Sequence, residues 1–139
     1  MSSRKLALLV RNQNPLVLGI QDSMQHACRC MADRGVGAVL VTDAADRLRG
    51  IFTGRDVVRV MQSSIDPART TLAEVMTPNP KTLSPESTTI EALRAMHDGR
   101  FRHMPVIGDG KILGVVSRAD FTGEEFERFD YETYLWEHI

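Results

Sequence analysis

The chain repeats itself. Asn14-Pro15 returns as Asn79-Pro80, and at the same offset of 65 Leu18 matches Leu83, Ala27 matches Ala92, Arg29 matches Arg94, Met31 matches Met96, Asp33 matches Asp98 and Val41 matches Val106. After one deletion in a turn the offset becomes 64, and Gly50 and Asp56 align with Gly114 and Asp120. Ten identities thus fall in the 42 residues from Asn79 to Asp120, so the chain is a duplication. A repeat of about fifty residues buries too little surface to stand alone, and the two copies must share a core.

Each copy reads β-α-β-β-α. A short extended piece (Leu16–Leu18, Lys81–Leu83) leads to a helix. Thr88 and Glu91 have capping-box spacing, whereas Ser23 is followed three residues on by His26, which predicts a weaker start in copy one. Met24, Ala27, Cys28 and Met31 form one helical face, and Ile90, Leu93 and Met96 form its counterpart. Two strands follow in each copy, 38–42 with 48–53 and 103–107 with 112–117, the second pair around the hairpin signal Asp109-Gly110. Helical patterns resume at Val57 and Phe121, and the polar segment 63–71 joins the copies.

The second strand of each pair ends in a shared heptad, GIFTGRD from Gly50 and GVVSRAD from Gly114. A strand ending in Thr53 or Ser117 and turning into a helix sets a hydroxyl beside unpaired N–H groups, a favourable place for phosphate. Asp56 and Asp120 fall near the helix start, where two oxygens can accept both hydroxyls of a ribose or can simply cap the helix. Arg55 and Arg118 are placed to meet a phosphate. The glycine serves either a close backbone approach or a strand bend.

Charge and cysteine content narrow the chemistry. Net charge is −1, but the six acids of residues 122–139 against Arg128 put −5 there and +4 on the first 121 residues. That mild, dispersed basic balance suits a small anion and not a nucleic acid. The apolar run Leu6–Val10 is too short for a membrane span or signal peptide, which predicts a cytoplasmic protein. Cys28 and Cys30, one residue apart on a helix, cannot bond to each other or share a metal, and no metal site is assigned. His26, His97, His103 and His138 are scattered, without a nucleophile–base pair or paired carboxylates, so no catalytic residue is assigned and the chain is read as a non-enzyme.

The duplication, the two G-h-h-[ST]-x-x-D heptads and RHMPVI (102–107) together resemble the tandem CBS-domain pair, or Bateman module, of the short stand-alone bacterial type. The resemblance implies an α+β fold of two β-α-β-β-α repeats, residues 6–62 and 72–123, related by a pseudo-two-fold and packed through their sheets. Residues 124–139 form an acidic, aromatic tail. It implies a regulatory module that senses an adenine nucleotide of the AMP, ADP or ATP type, requires no cofactor, pairs as a homodimer and acts on a separate effector protein. The alternatives are a dimerisation scaffold with vestigial sites, or a sensor of NAD or S-adenosylmethionine. Besides the heptad residues, the family's adenosine contacts fall on Val17, Leu18, Gly37, Ala38 and Leu40 in copy one. In copy two they fall on Thr82, Leu83, Ser84, Arg102, His103, Met104 and Pro105, and copy two is the closer match. Six of the eight aromatics lie beyond Asp120: Phe121, Phe126, Phe129, Tyr131, Tyr134 and Trp136. They require something apolar to dock on, either the chain's own sheet or, in the preferred reading, a partner subunit.

Overall fold

A computed structural model describes residues 3–138. In chain order the elements are α1 (Leu6–Val10), β1 (Val17–Gly19), α2 (Met24–Arg34), β2 (Ala38–Thr42), β3 (Leu48–Thr53), α3 (Gly54–Met61), α4 (Leu72–Val75), β4 (Thr77–Pro78), α5 (Thr89–Gly99), β5 (His103–Gly108), β6 (Lys111–Ser117) and α6 (Gly123–Glu137). Two compact units result: Asn14–Pro80, and residues up to Gln13 together with those from Lys81. The short helix ahead of each repeat is therefore counted with the other repeat. No described helix is long and apolar enough to cross a membrane.

The unit 14–80 carries a four-stranded sheet in the order β1-β2-β3-β4. β1 lies parallel to β2, with Val17 opposite Leu40, and β3 runs antiparallel to both β2 and β4. Val39, Val41 and Phe52 pack with Met24, Ala27 and Met31 of α2 and with Val60, Leu72 and Val75. Ser23 caps α2 by accepting the His26 N–H at 3.0 Å, much as Thr88 accepts the Glu91 N–H at 3.2 Å, so the predicted weakness of the first start does not materialise. Both helices end in a left-handed residue, Gly35 at φ 63° and its counterpart Arg100 at φ 57°. Glycine takes that conformation freely, whereas arginine is held there against its preference.

The other unit has a single hairpin, β5-β6, closed through Asp109 (φ 50°) and Gly110 (φ 72°). Positive φ at both central positions is the signature of a turn whose twist matches the strands. The extended piece expected at Lys81–Leu83 shrinks to one parallel bridge, Leu83 with Val106. A proline explains the loss. Leu40 donates its N–H to Leu16 O at 2.9 Å in copy one, but its counterpart Pro105 has no N–H to give. What remains is Leu83 N–H to Pro105 O and Ile107 N–H to Leu83 O.

The heptad glycines are explained by close approach. A Cβ on Gly50 would stand 2.4 Å from Met76 Sδ and 2.9 Å from Thr77 O, and one on Gly114 would stand 2.5 Å from Gln13 Oε1 and 2.8 Å from Val10. In copy one β4 hydrogen-bonds along β3 beside Gly50. In copy two the Gln13 side-chain amide does that work, accepting the Val115 N–H at 2.6 Å and donating to Val115 O at 2.9 Å.

Two expectations are corrected at the C-terminus. The chain does not run from Ser117 directly into an α-helix: Arg118–Asp120 is one 3₁₀ turn, and α6 begins only after Thr122. Thr122 and Glu125 form a reciprocal capping box that ends one segment and starts the next. The tail is also not uniformly directed at a partner. Phe121 and Phe129 are buried in the unit's own core with Phe126 packed against it, while Tyr131, Tyr134, Leu135 and Trp136 are exposed.

An N-terminal clip holds α6 in place. Arg4 donates to both carboxylate oxygens of Glu125, at 2.6 and 3.1 Å, and also to Asp120 O at 3.1 Å. Burial pushes the Glu125 carboxyl up, but the Arg4 bonds, the nearby Thr89 hydroxyl and the Thr122 N–H outweigh it and hold its pKa at about 2. Thr89 Oγ1 itself is buried without a well-formed bond, so Arg4 is the partner that matters. A carboxyl depressed below its unfolded value stabilises the fold above about pH 4.5, and that contribution fades as pH falls towards 2. Glu125→Gln should therefore lower stability at pH 7 by about 2 kcal/mol, several degrees of melting temperature. The gap from the parent should narrow steadily in melting curves taken from pH 5 downwards; a pH-independent gap would contradict the assignment.

Candidate functional site

In both units the end of the second hairpin strand lies across from the start of the first. Ala38 is opposite Thr53, and His103 is opposite Ser117. One further bond closes each ladder, Gly54 N–H to Gly37 O at 3.3 Å and Arg118 N–H to Arg102 O at 3.1 Å. Residues far apart in sequence are thereby gathered at one sheet end: Arg102 and His103 with Ser117, Arg118 and Asp120, and Gly37 and Ala38 with Thr53, Arg55 and Asp56; Pro105 lies two residues further along β5, buried and opposite Val115. Leu83 is tied to β5 farther along, through its bonds to Pro105 and Ile107, and is flanked by the exposed Thr82 and Ser84.

The two aspartates differ in what they have left to offer. Asp56 is only 6% exposed. Its Oδ2 accepts the Thr53 N–H (3.0 Å) and hydroxyl (3.3 Å), while its Oδ1 accepts the Thr77 hydroxyl (3.0 Å) and Arg59 (3.3 Å). Arg59 is held in turn by Val75 O at 2.8 Å. Both oxygens serve the fold. Asp120 is exposed, and its Oδ2 alone makes the equivalent bonds, to the Ser117 N–H at 2.7 Å and hydroxyl at 3.4 Å. Oδ1 stays outside that capping arrangement.

The neighbours of Asp120 are electrostatically mixed. Burial pushes the His103 imidazole below its ordinary range; the Asp120 charge opposes this and Arg102 reinforces it. At neutral pH His103 is accordingly an uncharged ring with one donor and one acceptor nitrogen. The Arg118 guanidinium lies 5.2 Å from the centre of the Phe126 ring, a cation–π contact that fixes its direction.

Several expected residues have less to contribute. Met104 is fully buried in its unit's core, so only its backbone is available. Leu40 is also fully buried and its backbone is paired with neighbouring strands. Val17 is exposed but sits opposite Leu40, two residues along β2 from Ala38, and Leu18 packs partly into the core. An open depression of about 330 Å³ lies at the far end of β2 from Thr53 and Asp56, lined by Gly19, Ile20, Asp22, Thr42 and Asp43. Two residues outside the repeat join the copy-two group, Arg4 through the Asp120 carbonyl and Phe126 beneath Arg118. The Thr122-x-x-Glu125 spacing was the available signal for Phe126, because it starts the helix that carries it; nothing in the sequence marks Arg4.

Comparison with known proteins identifies the repeat. The CBS domain matches residues 9–63 and again 72–126. CBS domain-containing protein CBSCBSPB2 of Arabidopsis thaliana is 43% identical over 108 residues, 77% of this chain and 20% of the plant protein. Arabinose 5-phosphate isomerase KdsD of Francisella tularensis is 35% identical over 124 residues, 84% of this chain and 37% of that enzyme. The chain thus spans well under half the length of either relative. A CBS-domain containing protein from Agrobacterium tumefaciens superposes with a TM-score of 0.75 at 32% identity, covering 82% of this chain and 86% of that one. A CBS domain protein from Pyrobaculum aerophilum, solved complexed with AMP, shares the fold with a TM-score of 0.81 at 18% identity, covering 91% and 98%. With both repeats matched, and relatives of this identity covering most of its length, the chain belongs to the CBS-domain family and carries two copies of the domain.

Proposed function

We propose that this protein is a non-catalytic regulatory module of the Bateman type that binds an adenine nucleotide, principally through its second repeat. The observation that carries the reading is the exposed Asp120, with one oxygen outside the capping box, gathered with His103, Ser117 and Arg118 at one sheet end. Asp120 Oδ1 accepts a ribose hydroxyl. The Ser117 hydroxyl bond, long at 3.4 Å, is readily exchanged for one to phosphate, with Arg118 supplying the opposing charge. Neutral His103 at the start of β5, with Leu83 farther along the strand, offers adenine an apolar edge. That a protein of the same fold was solved complexed with AMP supports this ligand class.

A vestigial site is the better reading of the first repeat, because Asp56 is buried and its oxygens are engaged. Nucleotide at a hundredfold excess over its dissociation constant should stabilise the protein by about 2.7 kcal/mol. A charge-assisted bond is worth about 1.5–3 kcal/mol, so Asp120→Ala should weaken binding by at least about tenfold. Asp56→Ala should lower the melting temperature of the free protein while leaving affinity near that of the parent. The check is a thermal-shift panel of AMP, ADP, ATP, NAD and S-adenosylmethionine, repeated on both variants. No shift with any of the five would favour the scaffold, and equal losses of affinity would make the repeats equivalent.

The same reading includes a homodimer and a separate effector that senses the bound state. Tyr131, Tyr134 and Leu135 recur at i, i+3 and i+4 on α6 and are 62%, 55% and 41% exposed, a stripe that a second subunit would cover. Tyr131→Ser with Leu135→Ser should shift sedimentation from dimer to monomer without lowering stability, since Phe121 and Phe129 remain in the core. A parent that sediments as a monomer, or variants that remain dimers, would remove this part of the proposal.

A further inference from the structure

Residues four apart on a helix stand one above the other. On α2 this brings His26, exposed, over Cys30, half-buried, with Cys30 Sγ 3.6 Å from His26 Nε2. Both cysteines are partly packed against the core of their unit, but Cys28 lies elsewhere on the helix from His26, and burial pushes the Cys28 thiol up. The neighbour of Cys30 is a histidine one turn back and not Cys28.

We propose that His26 and Cys30 form a two-donor site for a thiophilic divalent cation of the Zn²⁺ class. Thiolate with imidazole is a donor pair selective for such ions over Mg²⁺ or Ca²⁺. Bonds of about 2.3 Å to sulfur and about 2.0 Å to nitrogen, at a tetrahedral angle, place the two donor atoms about 3.5 Å apart. The pair already stands at that separation, so binding requires little movement of either side chain. Their backbone is also fixed: the His26 N–H is bonded to Ser23 Oγ, and Arg34, one turn beyond Cys30, is directed to the Asn14 carbonyl. On binding, the Cys30 thiol releases its proton to solvent and His26 coordinates as the neutral imidazole. Two positions of the ion are left for water or for a donor from another molecule.

The test is a Co²⁺ titration of the reduced full-length chain, read from thiolate-to-cobalt charge-transfer absorption and reversed by Zn²⁺. A saturable band should appear, vanish in Cys30→Ser and persist in Cys28→Ser, while His26→Ala should weaken binding by at least about tenfold. The Ser23 cap uses the His26 backbone, so the alanine variant keeps the helix start. On the unsubstituted protein, Zn²⁺ should slow alkylation of Cys30 but not of Cys28, as mapped by mass spectrometry. Absence of a saturable band, a band that survives Cys30→Ser, or unchanged affinity in His26→Ala would overturn the site.

Discussion

In each repeat a carboxylate three residues past the strand end accepts the N–H of the strand's last residue, Thr53 to Asp56 at 3.0 Å and Ser117 to Asp120 at 2.7 Å. That bond makes the turn. It satisfies a donor that would otherwise be lost where the ladder stops, and it fixes the hydroxyl side chain at the mouth of the next element. The glycine at the start of the heptad supports the same turn by letting a neighbouring segment close on the strand. The heptad is therefore first a folding device. In the proposed reading its capacity for ligand depends on how many carboxylate oxygens folding leaves over, and here the repeats diverge: Thr77 and Arg59 take the second oxygen of Asp56, whereas Asp120 has no such partners in its capping arrangement.

The second repeat needs other support for its turn. Where α3 continues directly from Thr53, the chain after Ser117 makes one 3₁₀ turn and restarts at Thr122. Arg4 bridges that interruption, tying Glu125 in the first turn of α6 to the Asp120 carbonyl, while Phe126 in the same turn supports Arg118. Segments at the two ends of the chain thus stabilise a group of residues that the repeat alone leaves loose. Stability and site geometry are coupled through this clip, and acid conditions that discharge Glu125 should loosen both.

Much of this was legible in the sequence, for identifiable reasons. The duplication set the number of units, helical periodicity placed α2 and α5 because their burial falls on one face, and apolar runs around tight turns placed β2 and β3, which are buried at consecutive positions. Asp109-Gly110 located the second hairpin because few other residues accept that pair of dihedral angles. The misses have physical causes as well. Pro105 removes a ladder bond that Leu40 makes, which turned an expected strand into a single bridge. The Thr122–Glu125 box restarts the helix inside what looks in the sequence like one helical pattern from Phe121, and the phenylalanines belong to the core while the tyrosines and Trp136 stay exposed. In the heptads the aspartates look identical, and only the fold reveals that Thr77, 21 residues away, engages one of them. His26 and Cys30 are unrelated in any sequence motif, and their pairing depends on the helix that sets them one turn apart.

Folding consumes the first repeat's carboxylate, and in the proposed reading it leaves the second repeat's available. The most direct measurement is the stoichiometry of calorimetric titration with the tightest-binding adenine nucleotide. One nucleotide bound per chain is expected. Two equivalent nucleotides per chain would show that the hydrogen bonds around Asp56 do not close that site, and would overturn the distinction between the repeats.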